Sequence, residues 1–118
     1  MSYFDGFVAA VPAANKDAYI TQAQHGWEGM FRDMGAVSMV ETWADDVPDG
    51  EVTSFPMAVR KNDDEVVVFS WIEWPDKATR DAAWVKMRDM GPEAMGEMTF
   101  DGKRMIYGGF SPIYDTRA

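Results

Sequence analysis

The sequence predicts an α+β domain of ferredoxin-like βαββαβ order, a four-stranded antiparallel sheet with two helices on one face. Three observations carry this. Two stretches show apolar residues at spacings of three and four, each opened by a capping residue and closed by a glycine, Gly35 and Gly91. Around them lie four short segments rich in β-branched and aromatic residues, in the order strand, helix, strand, strand, helix, strand. The 118 residues, 47% of them apolar, suffice for one core and leave no room for a second. Residues 1–118 are therefore read as a single domain.

Tyr3 to Val11 (YFDGFVAAV) ends at Pro12 and reads as the first strand. Asn15 is placed as the cap of a helix whose Tyr19, Ala23, Trp27, Met30, Phe31 and Met34 line one face. Ala36 to Trp43 is the second strand. The segment ADDVPDG then breaks regular structure. Before Asp64, Thr53 or Ser54 is positioned to cap a short helix bearing Phe55, Ala58 and Val59, which is preferred over a strand with Phe55, Met57 and Val59 alternating. So long a connection points to a lid or a partner contact.

Glu65 to Trp74 (EVVVFSWIEW) is apolar on both faces, as a central strand covered above and below requires. Asp76 caps the second helix, with Ala78, Ala82, Val85, Ala83, Met87 and Met90 on its apolar side. Pro92 to Met98 adds an irregular turn. Asp101 and Gly102 lead into the last strand, Lys103 to Phe110, and a polar tail follows.

Twenty acidic residues against eleven basic ones give a formal charge of −9, which repels phosphate backbones and anionic membranes alike. No nucleic acid and no membrane partner is expected. No apolar run approaches the ~20 residues of a membrane span, and Met1 to Ala10 lacks a basic start with an apolar stretch, so the cytoplasm is the expected address. There is no cysteine, which excludes disulfides, thiolate metal sites and cysteine nucleophiles.

Sorting each strand by alternation yields two sets. Gly6, Val8, Ala10, Val40, Val66, Val68, Ile72, Ile106 and Gly108 are aliphatic or small and suit the face under the helices. Tyr3, Asp5, Phe7, Met39, Glu41, Trp43, Phe69, Trp71, Glu73, Met105 and Tyr107 are aromatic or acidic and are assigned to the other face. Leaving that face in water forfeits about 1.5 to 3 kcal/mol per large side chain. A homodimer packed sheet to sheet is the expected cover, enclosing a space lined by rings and carboxylates.

The segments FDGFVAAVP, ETWADDVPDG, VVFSWIEWPDKATRD and FDGKRMIYGGF resemble those of the YbaA-like family, bacterial proteins of unknown function in the dimeric α/β-barrel superfamily. The resemblance covers nearly the whole chain and implies a ferredoxin-like subunit and a sheet-to-sheet dimer. It supplies no catalytic residues. The superfamily includes cofactor-independent monooxygenases and haem-degrading enzymes, the latter using an asparagine, a tryptophan and a histidine together. Here the first strand offers Asp5 and the single histidine lies on the first helix, which disfavours haem chemistry.

His25 is read as a surface or helix-capping residue, because one histidine completes neither a two-histidine metal site nor a nucleophile triad. Asp5, Glu41 and Glu73 are the candidate catalytic groups, since burial among aromatic rings would tune one of them as a general acid or base. Against this stands pairing with Lys103, Arg104 or Arg60. Tyr3, Trp43, Trp71 and Tyr107 are the candidate ligand-binding residues. Three carboxylates could also serve a hard cation, but neither a metal nor a cofactor is assigned. Two functions compete: a dimer that binds a small apolar or aromatic molecule, with or without transforming it in a cofactor-independent reaction, or a non-enzymatic interaction module.

Overall fold

Val11 and Trp74 lie at opposite ends of two paired strands, and neither exposes any surface. These strands, β1 (Tyr3–Pro12) and β3 (Glu65–Trp74), form the centre of the sheet. β2 (Ser38–Trp43) borders β3 and β4 (Ile106–Phe110) borders β1, giving the antiparallel order β2-β3-β1-β4 expected of βαββαβ connectivity. The computed structural model describes residues 1–117. Among them no helix is long and apolar enough to cross a membrane.

The first helix, α1 (Lys16–Gly26), continues as one π-helical turn over Trp27–Phe31, which delivers Met30 and Phe31 to the core beside Ile72, Trp74 and Ala83. Asn15 does not cap it. A 3₁₀ turn, Ala13–Asn15, precedes the helix, and the Asn15 side chain donates instead to the carbonyl of Thr99 at 2.8 Å. Residues 55–58 form a single helical turn, α2 (Phe55–Ala58), capped by the Ser54 hydroxyl. Asp76 caps α3 (Lys77–Met90) by accepting from the Thr79 N–H at 2.7 Å.

The sheet-facing side of α3 carries Arg80, Ala83, Trp84 and Met87, whereas Ala78, Ala82 and Val85 point to solvent. Two strands are shorter than their sequence patterns suggest. β2 begins at Ser38 because Gly35, at φ +103°, is still completing the turn from the helix. β4 begins at Ile106 because residues 102–104 wind into a 3₁₀ turn, held by the Asp101 carboxylate and by Arg104 folding onto Asp101 and Glu65.

Strand register corrects the face assignment. Gly6 is opposite Trp71 and Gly108, and Val8 is opposite Phe69 and Ile106. Those residues, with Val40, form the helix-free face. Tyr3, Asp5, Phe7, Met39, Glu41, Trp43 and Tyr107 share the helix side with Val66, Val68 and Ile72. The glycines of the helix-free face serve a ring rather than a helix: a Cβ on Gly6 or Gly108 would stand 3.5–3.6 Å from Phe110.

That face is covered at both ends by the chain itself. At one end Val59, 1% exposed, closes on Val8, Ala10 and Val67, while Phe55 meets Phe69 edge to face at 5.7 Å. At the other, the C-terminal tail returns Arg117 to Glu73, with N–H···O distances of 2.8 and 3.2 Å, and lays its guanidinium over Phe4. Between the covers an apolar trough stays open, with Phe69 43% and Phe110 62% exposed.

Candidate functional site

Helices α1 and α3 diverge enough to leave a cleft of about 520 Å³ between themselves and the sheet. That is the size of a small-molecule site. Its walls are mostly hydrocarbon and rings, with Phe7, Phe31, Ile72, Trp84 and Phe100 among them. The π-helical turn shapes one wall: Gly26 is buried there, and a Cβ would come within 3.2 Å of the Phe31 ring.

Into this cleft three polar side chains converge. Tyr19 reaches from α1 and donates its hydroxyl to Oε1 of Glu41, on edge strand β2, at 2.5 Å. Ser70, buried in β3 directly opposite Glu41, presents its hydroxyl to both groups. Burial pushes the Glu41 carboxyl above the ordinary carboxylate range, and the hydrogen bonds from Tyr19 and Ser70 only partly oppose this. Burial also raises the Tyr19 phenol, and the adjacent carboxylate raises it further, so Tyr19 remains protonated across the physiological range. Taken as a whole residue Glu41 is exposed, because the cleft is open to water along the edge strand. Its carboxyl, crowded by the phenol and the apolar walls, is less so. Glu41 has no cation within salt-bridge distance among the described residues.

The other two candidate carboxylates have structural partners, and the three do not converge. Asp5 is on the helix side, 1% exposed, and its Oδ2 accepts from the indole N–H groups of Trp74 and Trp84 at 2.9 Å each. Arg80 completes the cluster with contacts of 2.9 to 3.3 Å to both oxygens. Glu73 lies on the opposite face, where Arg117 and the Ser2 hydroxyl hold its carboxyl below the usual range. The partners expected from the sequence, Lys103, Arg104 and Arg60, serve neither. Arg104 instead forms two bonds to Glu65, at 2.8 and 2.6 Å.

The four candidate ring residues disperse in the same way. Tyr3 packs against the core under Arg80. Trp43 borders the cluster of Ala9, Val11, Tyr19 and Val68, with the Lys16 ammonium 5.3 Å over its ring. Tyr107 stacks on Phe7 and Trp84, each at 6.4 Å. Trp71 lies in the trough beside Phe69. His25 is exposed on α1, facing a separate groove formed with Glu93, Ala94 and residues 96–99. The trough is the larger hollow, about 640 Å³, and its lining is almost wholly apolar, whereas the cleft gathers the Tyr19, Glu41 and Ser70 side chains.

Four residues of these clusters escaped the sequence reading as functional groups. Tyr19 appeared only as a core position of its helix. Ser70 is the lone hydroxyl within the apolar run EVVVFSWIEW, which is a legible signal of a polar task on a buried strand. Arg80 and Trp84 stand four apart on α3, the spacing that brings two side chains to one target.

A family model described as "Protein of unknown function (DUF1428)" matches residues 2–102. The chain belongs to this family. It is 56% identical over 117 residues to the uncharacterised protein YbaA of Escherichia coli and to that of Shigella flexneri, over 98% of this chain and 99% of each relative. The DUF1428 match spans Asp5, Tyr19, Glu41, Ser70 and Trp84, and stops before β4 and the tail that carries Arg117. Membership brings no specific activity with it.

Proposed function

We propose that this DUF1428 protein is a cytoplasmic homodimer that binds one small apolar or aromatic molecule per subunit, in the cleft between helices and sheet. The observation that carries the reading is the Tyr19–Glu41 hydrogen bond at 2.5 Å inside a mostly apolar cleft of about 520 Å³. Apolar walls supply affinity, and a few placed polar groups supply orientation. A carboxylate with no cationic partner is a poor structural element, since burial costs it hydration that no ion pair returns. It is a useful one for meeting a ligand. A purely structural module would gain nothing from leaving such a group at a hollow, and this favours binding over the interaction-module reading.

The homodimer rests on the trough. Phe69, Trp71, Ile106 and Phe110 form a contiguous apolar strip between the chain's own two covers, and a second copy related by a two-fold axis offers the same strip in return. The expected sheet-to-sheet contact is thereby retained, while the proposed ligand site moves to the other side of the sheet.

Fluorine NMR of fluorinated phenols and acetophenones tests the cleft. Saturable line broadening is expected with the wild-type protein and should be lost in Ala23→Trp, which fills the cleft from α1. Absence of binding by both probe classes, or binding indifferent to Ala23→Trp, overturns the assignment.

A further inference from the structure

We propose that Glu41, aimed by the Tyr19 hydroxyl at the polar end of the cleft, catalyses proton transfer at carbon on a neutral, enolisable aryl ketone. This rests on the cleft being the ligand site. Three features of the molecule lead to it.

The first is an accessible base. One oxygen of Glu41 is engaged by Tyr19, and no lysine, arginine or histidine among the described residues neutralises the carboxylate. Its proton affinity is raised by burial, toward the range in which a general base works best. The second is a neutral donor. The Gln22 amide lines the same cleft with its nitrogen engaged only by the Met98 sulfur at 3.7 Å, while the Tyr19 and Ser70 hydroxyls stay committed to the carboxylate. The third is the wall. Phe7, Phe31, Trp84 and Phe100 suit an aryl body, and a cleft whose one lining cation, Arg88, is largely solvent-exposed suits a neutral compound.

The step balances without a further reactant. Glu41 takes a proton from the carbon next to the carbonyl. The C–H electron pair becomes the enolate C=C bond, and the carbonyl π pair moves to oxygen, where the Gln22 amide meets it. Return of the proton to the same carbon exchanges it with solvent, and return to a conjugated carbon isomerises the ketone. No electrons are gained or lost. Glu41 is the catalytic residue and Tyr19 a positioning residue.

The test uses the full chain with phenylacetone and 1-indanone in deuterated buffer, reading α-deuteration by proton NMR and binding by saturation transfer in the same sample. Binding with accelerated exchange that falls about a hundredfold or more in Glu41→Gln is the expected result. Tyr19→Phe supplies the second variant. Loss of its hydrogen bond raises the Glu41 pKa further, so the half-maximal rate moves to higher pH; Tyr19 from α1 and Arg88 from α3 are the titratable groups that share the cleft with Glu41. Binding without acceleration, or acceleration unchanged in Glu41→Gln, overturns the catalytic proposal and leaves the binding reading standing. Absence of binding by either ketone overturns this proposal as well, and failure of the fluorinated probes alongside it removes the binding reading too.

Discussion

Trp84 of α3 donates its indole N–H to Oδ2 of Asp5 on β1, at 2.9 Å, across the helix–sheet interface. Trp74 donates to the same oxygen, and Arg80 bridges both oxygens. A buried carboxylate is tolerable because all of its acceptor capacity faces donors. Replacing Asp5 with alanine strands two indole N–H groups and a guanidinium that is 20% exposed. A loss of roughly 3–5 kcal/mol in urea unfolding is expected. Asp5→Asn preserves the shape and one acceptor and should cost less. A loss below about 1 kcal/mol for the alanine variant would show that the cluster is not the clamp of this interface.

Glu41 makes stability depend on pH in the direction opposite to the paired carboxylates. Its folded-state pKa is raised, so its contribution is fully present below the ordinary glutamate value and is lost as pH rises through the folded value. The stability difference between wild type and Glu41→Gln should therefore shift against wild type as pH climbs from about 4 toward neutrality. Urea midpoints at a series of pH values measure it. A difference that is flat, or that moves the other way, contradicts a raised pKa.

For Glu73 the sign reverses. Arg117 and Ser2 lower its pKa, so the stability it contributes is present above the ordinary carboxylate value and disappears as pH falls through the lowered one. Asp115, held down to about 2 by Arg117, behaves alike. Because Arg117 is 56% exposed, Arg117→Ala should cost little stability at neutral pH. The cost should shrink as these carboxylates are protonated. An undiminished cost in acid would place the tail's contribution in its packing on Phe4 rather than in charge.

The trough makes a separate prediction about assembly. Sedimentation velocity should give twice the 13.3 kDa chain mass for wild type and the chain mass for Trp71→Glu. A charge opposed to its own copy across a two-fold axis is unfavourable on both sides. A wild-type monomer, or a Trp71→Glu dimer, rules out this face as the contact.

Much of the fold is legible in the sequence because its signals are local. Glu65 to Trp74 is a strand from its composition, and Asp76, Ser54, Gly35 and Gly91 mark boundaries through bonds or torsions spanning a few residues. Asn15 shows where local reasoning stops. It has the chemistry of a cap, but its amide is taken by Thr99, 84 positions away.

The site depended on long-range registry. Alternation states that Asp5 and Phe7 share a face of β1 and that Phe69 and Trp71 share one of β3, but it is silent on how the two strands are phased. Only the pairing of Gly6 with Trp71 and of Phe7 with Ser70 decides that. With that register, Asp5 and Glu41 fall under the helices and Glu73 on the far side, and Tyr19 meets Glu41 although neither sequence neighbourhood announces the other. By itself the sequence determined the strands and helices, their order and the absence of cysteine chemistry. Tertiary structure alone decided which carboxylate was left without a cation, because the arginines that neutralise Asp5 and Glu73 arrive from 75 and 44 residues away.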